Sequence, residues 1–282
     1  MDPQLVRGAL TMALVFGVTF AVSFLLTPVV RRIAIRRGHL DLPNEERRVH
    51  KAPVPRLGGL AMFAAFAVGV GLTFFIDIGR DTDPAIIKLR PNNVFEPGRF
   101  ALLLVGAGII AVVMAWDDLY GIRPIPKLLW QVLAATIVVA PSLFIPGGPN
   151  PPETNAVHYD QGAGVLVTSV QSPFGGLIEL PLMVGVLVTI FWLVGVTNAI
   201  NWIDGLDGLA AGVTVVACAV LFVITGPVLG QWTLSFLPLA LGAATLGFLP
   251  YNIHPARIFM GDSGAMFLGF TLGIDRKSVE ER

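Results

Sequence analysis

Residues 198–208 read Asn198-Ala-Ile-Asn201-Trp-Ile-Asp204-Gly-Leu-Asp207-Gly208. The stretch stands between two apolar runs, 181–197 and 209–225, neither of which carries a charge. Carboxylates and carboxamides are expensive beside hydrocarbon, and where they occur there they mark sites more often than scaffolds. Asn, Asp and Gly are also ordinary turn residues, so the stretch has to be weighed against the rest of the chain.

Composition decides the class. The 282 residues are 54% hydrophobic and 13% charged, with a mean hydropathy of +0.74, whereas a soluble domain has about a quarter of its residues charged. The chain is therefore read as an all-α polytopic membrane protein. A net charge of zero says nothing about partners. The single Cys218 lies in an apolar run, which leaves no disulfide framework or cysteine metal site and suits a small buried hydrophobe. The first apolar run is too long for a cleaved leader and has no small-residue cleavage pattern, so it reads as an anchor.

Seven complete spans are expected, over residues 8–30, 57–76, 100–116, 128–145, 182–197, 209–225 and 233–249. Each is close to the roughly 17–25 residues a helix needs to cross the hydrocarbon core. An eighth apolar run, from Ala265 to Ile274, is too short to cross. Basic residues in short loops set orientation. The loop after the first span holds Arg31, Arg32, Arg36, Arg37, Arg47, Arg48, Lys51 and Arg56, which makes that side cytoplasmic and the N-terminus external. Loop 77–99 balances its charges, and loop 146–180 has neither Lys nor Arg, as an external loop should. Within that external loop, runs 165–170 and 177–180 predict a small β-hairpin. Counting spans places Asp117-Asp118, residues 198–208 and residues 250–264 on the cytoplasmic face together.

These three segments hold the chemistry. Adjacent Asp117 and Asp118 repel each other and imply a nearby cation or one raised pKa. Trp116 ahead of them suits the membrane interface. A stiff connector, Gly121-Ile-Arg-Pro-Ile-Pro-Lys127, could carry a cation to an anion. In Phe259-Met-Gly-Asp262-Ser-Gly264, glycines flank a carboxylate, so the backbone can approach phosphate oxygens closely. Ser263 or Asp262 is also a natural cap for the apolar run that follows. His50 and His254 are read as surface or hydrogen-bonding residues, and Trp202 as an interface residue. Arg31, Arg32, Arg36 and Arg37 are read as topogenic, held at anionic headgroups.

In order, His50-Lys51-Ala-Pro-Val-Pro-Arg56-Leu-Gly58-Gly59, Asp117-Asp118 with Lys127, Asn198-x-x-Asn201-x-x-Asp204-Gly-x-Asp207-Gly-Leu, and Phe259-Met-Gly-Asp262-Ser-Gly resemble the polyprenyl-phosphate N-acetylhexosamine-1-phosphate transferases. The Pro-Arg-Leu-Gly-Gly form is closer to the N-acetylglucosamine branch than to the muramoyl-pentapeptide branch. The resemblance implies a phospho-N-acetylhexosamine transferase. It would move N-acetylglucosamine-1-phosphate from a UDP-N-acetylhexosamine to undecaprenyl phosphate and release UMP, as the first membrane step of cell-wall or surface glycan assembly. It implies Mg²⁺, with Mn²⁺ admissible, held by Asp262 and Asn201. Asp117 would handle the lipid phosphate, while Asp118, Asp204 and Asp207 would order the metal shell or bind nucleotide and sugar hydroxyls. Lys51, Arg56 and Lys127 would neutralise phosphates, Gly58 and Gly59 would let backbone come close, and Asn198 would join the substrate contacts. The implied partners are these two substrates and membrane lipids, with no nucleic acid; a homodimer is admissible. The implied site of action is the cytoplasmic face of the cell membrane.

Members of the family usually continue for several more spans and carry a His-rich cytoplasmic loop. Here residues 275–282, Asp-Arg-Lys-Ser-Val-Glu-Glu-Arg, do not continue an apolar helix. The expectation is one domain over 1–274, truncated within its eighth span, followed by a tail that is not native. Two alternatives remain at this point: a fragment that keeps the fold without turnover, and an ion-coupled secondary transporter. Transporters place acids near the midplane in broken helices, often in repeated halves. The acids here fall at span ends and no repeat is visible.

Overall fold

Uncharged runs rich in Val, Leu, Ile, Ala and Gly satisfy their backbone groups within their own helices, as a lipid environment requires. The structure is a computed structural model and describes residues 3–41, 53–75, 95–141, 165–167, 169–172, 175–230 and 232–280. Among these are eight helices: α1 (Pro3–Arg36), α2 (Gly58–Phe75), α3 (Phe95–Tyr120), α4 (Pro124–Val139), α5 (Leu182–Ile203), α6 (Leu209–Val223), α7 (Trp232–Asn252) and α8 (Gly261–Glu280). A π-helical turn, Ile224–Val228, extends α6.

Among the described residues, five stretches are long and apolar enough to cross a membrane: Gly8–Arg36, Phe100–Tyr120, Leu182–Ile203, Leu209–Val228 and Leu234–Asn252. The expected seven complete spans are thus met by length in five places. At 18 and 16 residues, α2 and α4 are apolar but shorter than the other spans. Local chemistry explains why α4 starts ahead of the expected residue 128. Gly121 takes the left-handed conformation (φ 70°) and donates its N–H to the Asp117 carbonyl, ending α3. Pro124 then opens α4, where a missing N–H is harmless and φ is already helical. Two further boundaries move. The first helix carries Arg31, Arg32 and Arg36 within it, and the third holds Asp117 and Asp118 in its last turns.

The expected hairpin forms: β3 (Ser169–Gln171) pairs antiparallel with β4 (Leu177–Glu179), with Val170 opposite Ile178. A second, unforeseen pair joins β1 (Leu40–Asp41) to β2 (Val54–Pro55). Residues 42–52, with His50 and Lys51, lie outside the described residues. So do 76–94, 142–164 with His158, and the end of the 275–282 tail.

The eighth apolar run, too short to cross when taken alone, is the centre of the packing. It lies against α2, α3, α5, α6 and α7, and Ser263, Phe267 and Leu268 are fully enclosed. A helix surrounded by others has no polar stripe, so its sequence carries no amphipathic signal of its central position. The helical backbone continues through Asp275 to Glu280. Phe267 and Phe270 of α8, with Phe66, Phe248, Met62 and Leu193 around it, fill the core. Phe63 and Phe66 set their rings edge-on to Phe267 at 5.6 and 5.4 Å. Ser23 Oγ on α1 donates to the Ala244 carbonyl of α7, and Trp192 Nε1 on α5 donates to the Gly273 carbonyl of α8.

Small residues allow these helices to approach. A Cβ on Gly269 would stand 2.7 Å from Thr197 Cα, and one on Gly59 would stand 2.1 Å from the Gly264 nitrogen. Gly59→Ala therefore forces two backbones apart. It should destabilise the protein by about 1–3 kcal/mol, the usual cost of overpacking, read as a lower melting temperature in detergent. Gly71→Ala, which meets nothing within 4 Å, should melt no lower than the parent.

Candidate active site

The site is assembled at the end of the bundle where α3, α5 and α7 finish and α8 begins. Lys127, in the first turns of α4, sends its ammonium between two carboxylates. Nζ donates to Asp262 Oδ2 at 2.8 Å and is paired with Asp117 Oδ2. One cation thereby joins α3, α4 and α8. Asp117 is buried, and its other oxygen accepts the N–H of Ile122 just beyond the helix end.

Asp118 faces the start of α8. Its Oδ1 accepts the N–H of Asp262 at 2.9 Å and its Oδ2 that of Ser263 at 3.0 Å. These are orphan donors of a helix N-terminus, where negative charge is also favoured by the dipole. The cap expected from Ser263 or Asp262 is therefore supplied by another helix, and Ser263 Oγ instead bonds back to the Met260 carbonyl. Gly261 makes room: its φ is +71°, and a Cβ there would fall 2.4 Å from Asp118 Oδ2.

The central loop closes the site from a third side. Asp204 follows the last turn of α5, its N–H bonded to the Ile200 and Asn201 carbonyls. Burial, then the charges of Asp262, Asp118 and Asp207, push its carboxyl up to about 8. Four aspartates from three distant segments therefore share one electrostatic neighbourhood. Asp207 Oδ2 accepts the Ala256 N–H at 3.0 Å and meets His254 Nδ1 at 2.9 Å. Buried Asn252 accepts the Gly208 N–H and donates to the Ile258 carbonyl. The 204–208 and 252–258 segments are thus stitched together, and Arg31 Nε of α1 donates to the Arg257 carbonyl on the same end.

Other expected residues are placed as follows. Gly58 and Gly59 do allow a close backbone approach, but to the Phe259–Gly264 segment: their N–H groups bond the Phe259 and Met260 carbonyls at 3.0 and 2.9 Å. Arg56 pairs with Asp41 beside the β1–β2 pair. Asn198 Nδ2 donates to Gln131 Oε1 at 2.6 Å and to the Val194 carbonyl. Asn201 is half-buried one helical turn later. Trp202 is 84% exposed, as an interface residue would be. Sequence reasoning passed over Gln131, Asn252 and Asp41. A lone carboxamide inside an otherwise apolar span was the signal for Gln131.

Among the described residues, no three His, Cys, Asp or Glu side chains stand close enough to hold a metal together. Mg²⁺ does not require such a cage: one or two carboxylates with water and substrate phosphate oxygens suffice. Asp262 already holds a cation, the Lys127 ammonium, and the nearby donors are hard oxygens. The donor set fits Mg²⁺.

A multi-helix membrane protein that gathers acids and one lysine at the end of its bundle is the class these features define. Residues 100–275 match glycosyl transferase family 4, and the chain belongs to that family. It is 34% identical to a protein of Bacillus subtilis named probable undecaprenyl-phosphate N-acetylglucosaminyl 1-phosphate transferase, over 97% of this chain and 63% of that one. It is also 34% identical to the decaprenyl-phosphate N-acetylglucosaminephosphotransferase of Mycolicibacterium smegmatis, over 91% of this chain and 57% of that one. Identity to the phospho-N-acetylmuramoyl-pentapeptide-transferase of Staphylococcus carnosus is 29%, over 90% and 71%. The chain spans 63% and 57% of the first two relatives.

Two outcomes follow. Asp118→Ala removes the α8 cap and should lower stability by about 0.5–2 kcal/mol, while Asp118→Asn, which keeps an acceptor, should recover part of the melting temperature. For Asp204, a folded value of about 8 against 3.8 unfolded means the unfolded state loses its proton first, so stability falls as pH rises between those values. In EDTA, Asp204→Asn should melt above the parent at pH 8, and the gap should shrink toward pH 4.

Proposed function

We propose that this chain transfers N-acetylhexosamine-1-phosphate, with N-acetylglucosamine as the sugar, from a UDP-sugar to undecaprenyl phosphate. The observation that carries this is the Lys127 ammonium gripped by Asp117 and Asp262, with Asp118 capping α8 beside it. Family membership and the names of the relatives supply the substrate class.

In the reaction, an oxygen of the lipid phosphate attacks the sugar-bearing phosphorus of the nucleotide sugar. The bond from that phosphorus to the bridging oxygen breaks, UMP departs with the electron pair, and a lipid diphosphate sugar remains. Such transfers depend on alignment and charge neutralisation more than on covalent help from the protein. Asp262 and Asn201 would hold Mg²⁺, which supplies charge neutralisation at the diphosphate. Lys127 can turn from its carboxylates to a phosphate oxygen. A phosphate monoester with a second pKa near 6 is mostly dianionic at neutral pH, so Asp117 has chiefly to position the nucleophile. Asp207 holds the loop and Asp118 the helix that would frame the donor, and Asp204 would order the metal shell or bind donor hydroxyls.

The proposed topology places this end at the cytoplasmic face, with the N-terminus outside. Its support is the basic character of α1's end and the Arg31–Arg257 contact on the same side as the acids. The position of the acids at helix ends disfavours an ion-coupled transporter.

The test is incubation of membranes carrying the chain with undecaprenyl phosphate, labelled UDP-N-acetylglucosamine and Mg²⁺. Labelled lipid and released UMP are expected, and EDTA should stop both. Asp262→Ala should abolish transfer with membrane insertion unchanged. Ion-driven uptake without labelled lipid would point to the transporter, and neither activity to a fragment that keeps only the fold.

A further inference from the structure

We propose that Gln131 is a positioning residue that sets the register of α4, α5 and α8 one turn beneath the site; the catalytic consequence rests on the transferase reading. Gln131 is 2% exposed, in the middle of an apolar helix. Its Oε1 accepts from Asn198 Nδ2 of α5 at 2.6 Å, and its Nε2 donates to Met266 Sδ of α8 at 3.4 Å.

Each residue in this layer lies below a site residue on its own helix. Gln131 follows Lys127 by four positions, Met266 follows Asp262 by four, and Asn198 precedes Asn201 by three. These are the spacings that put side chains on one helix face. The three helices that present Lys127, Asn201 and Asp262 are therefore joined a turn lower through one carboxamide.

Stability alone gives little reason for a carboxamide at that depth. An apolar side chain would pack there without desolvating an amide, and thioether sulfur is a weak acceptor. What an amide does that leucine cannot is tolerate only one axial alignment of its neighbours, as a single buried Asn does in coiled coils. If α5 slides or rotates against α4, the 2.6 Å bond is lost and Gln131 Oε1 is left without its donor in an apolar layer, while Asn198 Nδ2 keeps only the Val194 carbonyl of its own helix. The bond thus converts a continuous sliding contact into one register. That register keeps the α5 end that carries Asn201 beside the helices of Lys127 and Asp262, with Asp204 within electrostatic reach of Asp262.

The test uses the full chain in detergent and compares parent, Gln131→Leu, Asn198→Leu, the double variant and Val138→Ala. Gln131→Leu should lower kcat about 10- to 100-fold, as small misplacements do, with KM for the nucleotide sugar within about threefold of the parent. Asn198→Leu should match it, and the double variant should be no worse than either single one. Val138→Ala, a packing lesion on the same helix, should lower the melting temperature without that loss of kcat. A normal kcat in Gln131→Leu, or a loss that merely tracks melting temperature as in Val138→Ala, overturns the proposal.

A second readout does not depend on turnover. Spin labels at Ile125→Cys and Trp202→Cys, both exposed positions, in a Cys218→Ala background report the separation of the α4 and α5 ends. A shifted or broadened distance distribution is expected in Gln131→Leu, and an unchanged one overturns the proposal. If the parent labels no lipid, the transferase reading fails, and the label distances still decide the register.

Discussion

An ammonium group enclosed by two carboxylates at the end of an apolar bundle is the constraint on which the other features depend. None of Lys127, Asp117 and Asp262 can be held away from water as an isolated charge without severe cost. Once they meet, the three helices carrying them have little freedom left. The start of α8 must reach the end of α3, and α4 must begin within a side chain's length of both. Asp118 then falls where the unpaired N–H groups of α8 are, so adjacent aspartates divide two tasks between them. One faces the cation and the other the helix terminus, and their mutual repulsion is relieved by different partners.

Apolar packing makes that meeting tolerable. Between helices in lipid there is no gain from hiding apolar surface, so close contact and satisfied polar groups have to supply the association. Glycine does this at Gly59, which touches the backbone of Gly264, and at Gly269, which touches that of Thr197. The same closeness lets residues 58–59 hydrogen-bond to residues 259–260 as though the two segments were paired strands. The Phe259–Gly264 motif is thus braced on one side by backbone and on the other by Asp118. Under the proposed transferase reading, a carboxylate that meets a diphosphate gains from such bracing, because it has little reorganisation left to undergo.

The loop 204–208 shows the opposite balance. Asp204 is surrounded by like charges and by burial, and its proton is held to about 8. That is an unfavourable arrangement for an isolated protein and a favourable one for a site that receives a cation. Asp207 and Asn252 stabilise the loop by bonding to the 252–258 segment, so the strain is confined to one carboxyl group.

Much of this was legible in the chain itself. Uncharged runs announce helices because lipid leaves the backbone no other partner. Residues 121–127 were read as a connector, although Gly121 and Pro124 set a helix end and start by the dihedral angles they permit. The concentration of Asp, Asn and Lys between apolar runs marks the site because those groups are too expensive to be there idly. Sequence could not tell which partner each polar group takes. Asp118 as the cap of a helix more than a hundred residues away, Gly58-Gly59 packed on protein, and Gln131 bonded to Asn198 are outcomes of helix packing. So is the central place of α8, whose short apolar run looks unable to span. Local patterns record what a segment costs in lipid; which segments lie side by side is decided by the shapes of their surfaces, and that information exists only once the helices are packed.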